Sequence, residues 1–374
     1  MEPIGYNKDK ARKVLHEHNI DVLIASTPVN IYYTTGLPTL HVAPNPILYV
    51  LSNQFPSISL VNENGELSLV TWITYNSIEK FSWVNDVSGV ASPKAAMVEI
   101  CDRIEKRGLS EKSIGYESLM PIYQYEFLRE RFPKATFIKG DQAFLDMRLT
   151  KSEEEIKRIK QSTNISEKAI QAMINNVYAG ITDNELLKIA RRTIIDEGAE
   201  GWDHLTLGIG GSDPEAPGIG TVMRQGDIAR FDIGTIWKGY VSDVSRHVVL
   251  EKIPEGAKEV LDSMIQVQEF CVDHIKPNVN MKELYDKARK FYKSLKKRGF
   301  CYITGHSIGL ECEETHLFSI MKTLDMSFQE NMVLDIEVWQ NYKDQGLIGI
   351  EDCYRITRSG CERLSSLQKD FFIK

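Results

Sequence analysis

Several common sequence features are absent, and each absence removes a class of protein. The 374 residues contain no apolar run near the ~18 residues that a membrane-spanning helix needs. The N-terminus has neither a basic nor an apolar segment, so we expect no signal peptide. The formal net charge of -7 disfavours a non-specific nucleic-acid binder. These absences predict a cytoplasmic protein with no membrane or nucleic-acid partner.

Cysteine pairs, internal repeats and low-complexity tracts are absent as well. The 6 cysteines show no CxxC spacing, which favours reduced thiols and gives no sign of a structural zinc site. The hydrophobic fraction of 42% and the charged fraction of 26% are those of an ordinary globular protein. The length is too great for one ordinary core and suits two domains.

The predicted pattern of helices and strands changes near residue 149. Over residues 1–148 predicted strands near residues 21–26, 47–51, 58–61, 67–71 and 113–117 alternate with helices, which is typical of an α/β domain. Thr150 or Ser152 can then cap a long helix whose first turn is acidic. Residues 149–374 are rich in strands, and hairpins with interposed helices predict an α+β domain. Its predicted strands lie near residues 204–210, 228–236, 240–250, 331–338 and 347–357.

Residues 230–246 have the pattern of two strands joined by a tight turn at Trp237-Lys238-Gly239. If the loop is centred between Trp237 and Lys238, then Asp232 and Asp243 are direct cross-strand partners with Cβ atoms ~5 Å apart. Two like charges so placed repel each other, and a stable sheet avoids this unless a cation lies between them. Two solvated aspartates at a hairpin rim are the simpler interpretation of this pair alone. The hairpin therefore suggests a metal-binding site, and further ligand residues are needed to support this hypothesis.

Two short motifs suggest other chemistry. Gly208-Ile-Gly210-Gly211 resembles a dinucleotide loop, but Pro214 and Pro217 prevent a helix from opening there and the third glycine is missing. Residues 305–309 match G-x-S-x-G, the nucleophile elbow of serine hydrolases, with Ser307 as the nucleophile. That motif requires an acid and then a histidine downstream, and no such pair has normal spacing here. A serine hydrolase is therefore the less favoured alternative.

Three more residues support the metal hypothesis. His306 stands between two glycines, and Glu337 and Glu351 interrupt apolar strands where glutamate is a poor choice. With Asp232 and Asp243 they form a set of four carboxylates and one imidazole, which suits two divalent ions such as Mn²⁺, Co²⁺, Fe²⁺ or Zn²⁺. Two such ions ~3.5–4 Å apart can share a hydroxide and polarise a carbonyl together.

With these motifs the sequence resembles the pita-bread metallopeptidases, which include prolidase, aminopeptidase P, methionine aminopeptidase and the metal-free relative creatinase. The resemblance covers nearly the whole chain. It begins with residues 21–36 and the linker at residues 148–156, both similar to the family's creatinase-type N-terminal domain and domain junction. It continues with the ligand motifs around Asp232 and Asp243, His306, Glu337 and Glu351, which occur in the family's order.

The resemblance implies a creatinase-like α/β domain followed by a pita-bread catalytic domain, usually in a homodimer. It implies that Asp232, Asp243, His306, Glu337 and Glu351 hold two divalent ions, with Asp243 and Glu351 bridging them. Glu337 would also carry protons for a bridging hydroxide that attacks an amide carbonyl. The implied activity is that of an Xaa-Pro dipeptidase or Xaa-Pro aminopeptidase acting on a short peptide.

Positions that recognise the peptide in this family differ here. Tyr302 stands four residues before the ligand histidine and Glu313 seven after it, where the proline-specific peptidases carry histidines. Gly349 replaces an arginine, and no histidine occurs between residues 213 and 220. We therefore expect Tyr302 to stabilise an oxyanion and Glu313 to bind an amine or carry a proton. A non-peptide C–N hydrolase or a lyase of the same fold is the alternative, with a small amide as its substrate.

The remaining candidates for substrate binding are His204, His41 and Arg246. His204 begins the strand that leads to the glycine loop, and a structural role suits it equally well. His41 lies on the N-terminal loop that reaches the partner's active site in similar dimers, although a solvated loop histidine is the simpler interpretation. Arg246 belongs to the motif of the second aspartate.

Overall fold

A computed structural model describes residues 1–38, 57–73, 78–211, 215–297 and 299–374 of the chain. The chain forms two compact units, Met1–Leu149 and Thr150–Lys374. Within the described ranges, no helix is both long and apolar enough to cross a membrane. His41 and the strand predicted at residues 47–51 lie outside the described residues.

The first unit has a six-stranded mixed sheet with the strand order β4-β3-β2-β1-β5-β6, and it confirms the predicted α/β pattern. Its strands are β1 (Val22–Ala25), β2 (Ile58–Asn62), β3 (Leu67–Trp72), β4 (Asp86–Val90), β5 (Ser113–Tyr116) and β6 (Thr136–Lys139). Its helices are α1 (Lys8–Glu17), α2 (Pro28–Thr35), α3 (Pro93–Lys106), α4 (Ile122–Arg131) and α5 (Asp141–Arg148).

The core of the first unit is built from the buried face of α3 and the central strands. Ser92 caps α3 by accepting a hydrogen bond from the Ala95 amide, and Pro93 follows in the first turn, where its missing N–H costs nothing. Ile100 and Ile104, one turn apart, are fully buried against strand residues such as Val70. Strands β4 and β6 escaped prediction because they form the two edges of the sheet and bury little of their length.

The second unit has a ten-stranded sheet in which β12-β11-β13-β14-β10-β8-β7 are neighbours, with β9 beside β8, β15 beside β14 and β16 beside β10. Its helices are α6 (Glu153–Asn175), α7 (Asp183–Asp196), α8 (Ala257–His274) and α9 (Met281–Ser294). Its strands are β7 (Gly201–Ile209), β8 (Ile228–Trp237), β9 (Tyr240–Val241), β10 (Val244–Val249), β11 (Cys301–Ser307), β12 (Thr315–Phe318), β13 (Val333–Asn341), β14 (Leu347–Ile356), β15 (Cys361–Arg363) and β16 (Phe372–Ile373).

Helices α6 and α7 begin with capping boxes and cover one face of this sheet. Ser152 and Thr182 each accept a hydrogen bond from the amide three residues later, and the glutamate at that position bonds back to the cap. The apolar faces of both helices join the buried side chains of β7, β8 and β10 in one core cluster. The opposite face of the sheet is therefore available for polar side chains.

The hairpin of β8, β9 and β10 has a register different from the predicted one. Its loop consists of Lys238 and Gly239, with φ angles of 49° and 80°, which is the backbone of a two-residue hairpin turn. Asp232 consequently pairs with Ser245 rather than with Asp243, so the predicted direct pairing was wrong. Moving the turn by one residue shifts the pairing by two, which leaves both aspartates on the same face.

Arg246 lies on the opposite face of β10, because side chains alternate along a strand. Its guanidinium is fully buried, with Nη2 2.5 Å from Asp352 Oδ1. Nη1 donates a hydrogen bond to the carbonyl of Glu351, and Nε donates one to the carbonyl of Gln368. The expectation that Arg246 binds substrate is corrected: its side chain is used entirely within the fold, where it fixes the backbone of Glu351.

We expect Arg246→Met to destabilise the second unit by roughly 3–5 kcal/mol, because it leaves the buried carboxylate of Asp352 without its main partner. Urea unfolding measures this change. Arg358→Met is the matched control: its side chain is 89% exposed beside Glu330, and such pairs contribute at most about 1 kcal/mol. Equal stability of the two variants would contradict the structural role.

Candidate metal centre

The acidic side chains lie on one face of the sheet, in rows that cross its strands. Residues paired across antiparallel strands point to the same face. Thr304 pairs with Glu337, Glu337 with Glu351, Glu351 with Ser245, and Ser245 with Asp232. The row therefore places Glu337, Glu351 and Asp232 on neighbouring or next-neighbouring strands of one surface.

The next row holds two histidines and two further acids. His306 pairs with Asp335 at one end, and His204 pairs with Gly234 at the other. Asp243 lies just before β10 and beside Gly234 in the same register. A Cβ at Gly234 would come within 2.4 Å of the His204 ring, so the glycine provides the space across which His204 reaches Asp243.

A third row borders the acids with an aromatic pair at one end and basic side chains at the other. Tyr302 pairs with Trp339, and their rings are stacked with centroids 4.8 Å apart. Trp339 in turn pairs with Gly349, where a Cβ would come within 2.5 Å of Trp339 Cβ. His247 pairs with Arg230, so both side chains lie on the acidic face of the sheet.

The ligand atoms of these rows approach one another closely. His306 Nε2 lies 3.3 Å from Glu351 Oε1, while His306 Nδ1 is hydrogen-bonded to the carbonyl of Cys312. His204 Nε2 lies 3.2 Å from Asp243 Oδ1 and 3.4 Å from Asp232 Oδ1. Among the described residues, four groups have their ligand atoms within 4.8 Å of one another: Asp203, His204 and Cys312; His204, Asp232 and Asp243; Asp243, His306 and Asp335; Asp232, Glu337 and Glu351.

The donor set fits divalent cations. Asp232 Oδ1 and Asp243 Oδ1 are buried and have no hydrogen-bond partner in the part of the chain that the structure describes. A buried carboxylate oxygen that accepts no hydrogen bond carries a desolvation cost, even where the other oxygen of the same group has a partner. A cation beside these oxygens would remove that cost, and carboxylate and imidazole donors suit Mn²⁺, Fe²⁺, Co²⁺ and Zn²⁺.

Arg230 is a buried guanidinium inside the acidic surface, and its role was not predicted from the sequence. Nη1 lies 2.7 Å from Asp232 Oδ2, and Nη2 donates a 2.9 Å hydrogen bond to Glu337 Oε1. Arg230 therefore links two of the predicted ligands and fixes their separation. Alternation could have revealed it, because residues 230 and 232 share one face of β8.

The pKa values of the acids differ according to their neighbours. Burial raises the pKa of Asp232, but Arg230 and His204 outweigh burial and hold that pKa below its usual value. Burial raises the pKa of Glu337 to about 8, against the opposing effect of Arg230. Burial, followed by the charges of Asp243 and Glu337, raises the pKa of Glu351 well above its usual value. The surface therefore carries more acid than its own cations neutralise.

Two predicted catalytic residues lie at the margin of this surface. Tyr302 is partly buried, and burial followed by the charge of Glu337 raises its pKa to about 12, so it remains protonated. Glu313 is exposed and lies 3.5 Å from His316, outside the clustered ligand groups. The position of Tyr302 is compatible with hydrogen-bond donation, whereas Glu313 is not brought to the acids.

Ser307 points away from the acidic surface. Its side chain is buried, donates a hydrogen bond to Glu314 and accepts one from Lys151. These contacts hold the start of the second unit against the end of β11. The serine-hydrolase alternative therefore gains no support, because Ser307 has no histidine partner among its described contacts.

Asp335 and Cys312 were also missed by the sequence analysis. Asp335 shares a face of β13 with Glu337, so strand alternation could have indicated it. Cys312 lies beyond β11, with Sγ 3.0 Å from Asp243 Oδ2. No pattern in the sequence links this loop residue to the aspartate, because their approach depends on the pairing of distant strands.

Comparison with known proteins connects this geometry to a family. Residues 157–358 match metallopeptidase family M24, and residues 8–150 match the Creatinase/Prolidase N-terminal domain. An Xaa-Pro dipeptidase of Pyrococcus horikoshii is 28% identical over 373 residues, which cover 97% of this chain and 98% of that protein. An uncharacterized peptidase of Methanocaldococcus jannaschii is 29% identical over 273 residues, which cover 72% of this chain and 73% of that protein.

Solved structures share the fold. An X-Pro aminopeptidase from Thermotoga maritima is similar with a TM-score of 0.80 at 24% identity, covering 98% of this chain and 99% of that one. A dipeptidase from Pyrococcus horikoshii is similar with a TM-score of 0.83 at 22% identity, again covering 98% and 99%. These likenesses confirm the expected fold class over nearly the whole chain.

The buried His247 makes folding sensitive to acid. Burial, followed by Arg230, lowers the pKa of His247 to about 3, whereas in an unfolded chain it is about 6.5. The unfolded state therefore binds the extra proton, and stability falls as pH decreases from about 6.5 toward 3. We expect the unfolding free energy of the metal-free wild type to fall faster than that of His247→Gln, by up to about 1.4 kcal/mol per pH unit.

The control for this titration is His274→Gln, at an exposed position on α8. Urea unfolding at a series of pH values gives the slopes. If His247→Gln and His274→Gln have the same slope as the wild type, His247 is not held neutral by its surroundings.

Proposed function

The chain belongs to metallopeptidase family M24, and from this premise we propose that it is a hydrolase that uses two divalent ions to cleave an amide bond of a short peptide. The observation that carries the proposal is the convergence of Asp232, Asp243, His306, Glu337 and Glu351 on one surface, where Asp232 Oδ1 and Asp243 Oδ1 are buried and accept no hydrogen bond from the described residues. We assign these five side chains as metal ligands, with Asp243 and Glu351 shared between the ions.

The bound ions would lower the pKa of water and polarise the substrate carbonyl. Glu337 accepts and returns the proton, because an ionised carboxylate held in a fixed orientation can act as a general base. Arg230 fixes the orientation of Glu337 through its hydrogen bond to Oε1. Tyr302, protonated at neutral pH, donates a hydrogen bond to the developing oxyanion.

The identity of the substrate is a second and more specific part of the proposal. Relatives named Xaa-Pro dipeptidase align over nearly the whole chain, and this favours a dipeptide with proline in the second position. The replaced pocket residues favour a different leaving group. The stacked rings of Tyr302 and Trp339 border the acids, and Gly349 leaves room for the Trp339 side chain.

This aromatic border supports the second candidate, a C–N hydrolase or lyase of the same fold that acts on a small amide. An aromatic surface binds an apolar or planar group, whereas a histidine or arginine at these positions would bind a charged or polar peptide end. The homodimer and the cytoplasmic location expected from the sequence are also proposals, which light scattering and fractionation test.

Removal of metal tests the proposed chemistry. We expect the chelated protein to lose turnover of Ala-Pro, Gly-Pro or other dipeptides, and Mn²⁺, Co²⁺, Fe²⁺ or Zn²⁺ to restore it. A screen that includes Xaa-Pro peptides, other dipeptides and small amides distinguishes the two candidates. Turnover of amides alone would retire the peptidase, and metal-independent turnover of any substrate would contradict both.

Glu337→Gln tests the proton carrier. We expect kcat to fall by roughly 10²–10⁴-fold, because the amide cannot accept a proton. The matched control is Glu362→Gln on β15, whose side chain is 46% exposed beside Lys160. The steady-state rate with the best substrate of the screen is the measurement. An unchanged kcat in Glu337→Gln would contradict the assigned role.

A further inference from the structure

Two of the four ligand groups combine two of the five family positions with one further side chain. The first consists of His204, Asp232 and Asp243, and the second of Asp243, His306 and Asp335. Each group has one imidazole and two carboxylates, and Asp243 belongs to both. Both extra residues, His204 and Asp335, lie in the row of the sheet that contains Asp243 and His306.

His204 has the environment of a metal-ligating histidine. Its Nε2 points between Asp232 Oδ1 and Asp243 Oδ1, the two buried oxygens that lack a described hydrogen-bond partner. Its Nδ1 lies 3.2 Å from Asp203 Oδ2, and a carboxylate on the far nitrogen is the usual means of orienting such a ligand. Gly234 provides the space that this orientation needs.

Asp335 is a buried acid of this surface with two oxygens available to a cation. It is 0% exposed, and neither carboxylate oxygen has a nitrogen or oxygen hydrogen-bond partner among the residues described. The thiol of Cys353, on the paired strand, is a weak donor to it. The basic group within ligand distance is His306, its cross-strand partner, which also faces Glu351.

The group of Asp232, Glu337 and Glu351 already has a positive charge beside it. Arg230 contacts both Asp232 and Glu337. Five carboxylates and one guanidinium leave four negative charges, which two divalent ions neutralise. The charge count therefore favours two ions. Because Arg230 already neutralises charge at Asp232 and Glu337, we place the ions at the two groups that contain His204 and His306.

We propose that His204 and Asp335 are metal ligands in addition to the five family positions, so that each of two ions has its own imidazole and both share Asp243. The inference rests on the proposed function, since it assumes that the centre binds metal. Without His204, the ion at Asp232 would have oxygen ligands only. An added imidazole favours Zn²⁺, Fe²⁺ or Co²⁺ over Mn²⁺ at this position.

The test measures metal binding directly. The full-length wild type, His204→Ala and Asp335→Asn are each stripped with a chelator and titrated with Zn²⁺ in a competing-indicator assay. We expect the wild type to bind two ions per chain. Each variant should bind one of them at least 10–100-fold more weakly, since loss of even an orienting partner has an effect of that size. The Co²⁺-loaded proteins should differ in visible absorption, because a lost ligand changes the coordination geometry.

His316→Ala is the matched control for the imidazole. His316 has its ring centroid 6.4 Å from that of His306 but belongs to none of the four ligand groups. The His316→Ala variant should bind both ions with the affinity of the wild type. For Asp335→Asn, thermal unfolding is a second readout: the melting temperature of the metal-free protein stays the same or rises, while the metal-induced increase becomes smaller.

The outcomes separate the two levels of the proposal. A wild type that binds no ion contradicts the proposed function and, with it, this assignment. A wild type with two ions, and variants that bind both with unchanged affinity, overturns only the roles of His204 and Asp335. A lower melting temperature of metal-free Asp335→Asn with a full metal-induced increase would show that Asp335 is structural.

Discussion

Repulsion among five carboxylates on one buried face of the second unit's sheet is the constraint on which the site depends. Two unit charges 4 Å apart interact by about 4 kcal/mol at an effective dielectric constant near 20, so several such pairs exceed what marginal stability tolerates. Arg230 offsets part of this repulsion at Asp232 and Glu337. Negative charge remains, and Asp232 Oδ1 and Asp243 Oδ1 accept no hydrogen bond from the described part of the chain. Cation binding accounts for both features of the acidic face.

The register of the strands determines which acidic side chains lie next to one another. Pairing across β11, β13, β14, β10 and β8 brings together residues that lie more than a hundred positions apart in the chain. The other face of the same strands is fixed by helices and by the buried pair of Arg246 and Asp352. Because Arg246 also holds the carbonyl of Glu351, packing on one face positions a ligand on the other.

Much of the fold and of the candidate site could be predicted from local sequence patterns. The predictions that were wrong or missing concern contacts between distant segments of the chain. Alternation placed Asp232 and Asp243 on one face correctly, although the turn at Lys238 and Gly239 shifted their pairing by two residues. Arg246 was misassigned because its partner, Asp352, lies on a strand more than a hundred residues away. Arg230 and Asp335 share faces with predicted ligands, yet charged residues beside a ligand are common without any function.

Anomalous X-ray diffraction from crystals of the zinc-loaded protein tests the central claim most directly. The account predicts two ions on the acidic face, each with a ligand distance of about 2.0–2.2 Å to a carboxylate oxygen of Asp243. One ion would have His306 as a ligand, and the other would have His204. A zinc-loaded structure with no ion at these side chains, and with Arg230 and His204 as the sole positive groups among the acids, would contradict the account.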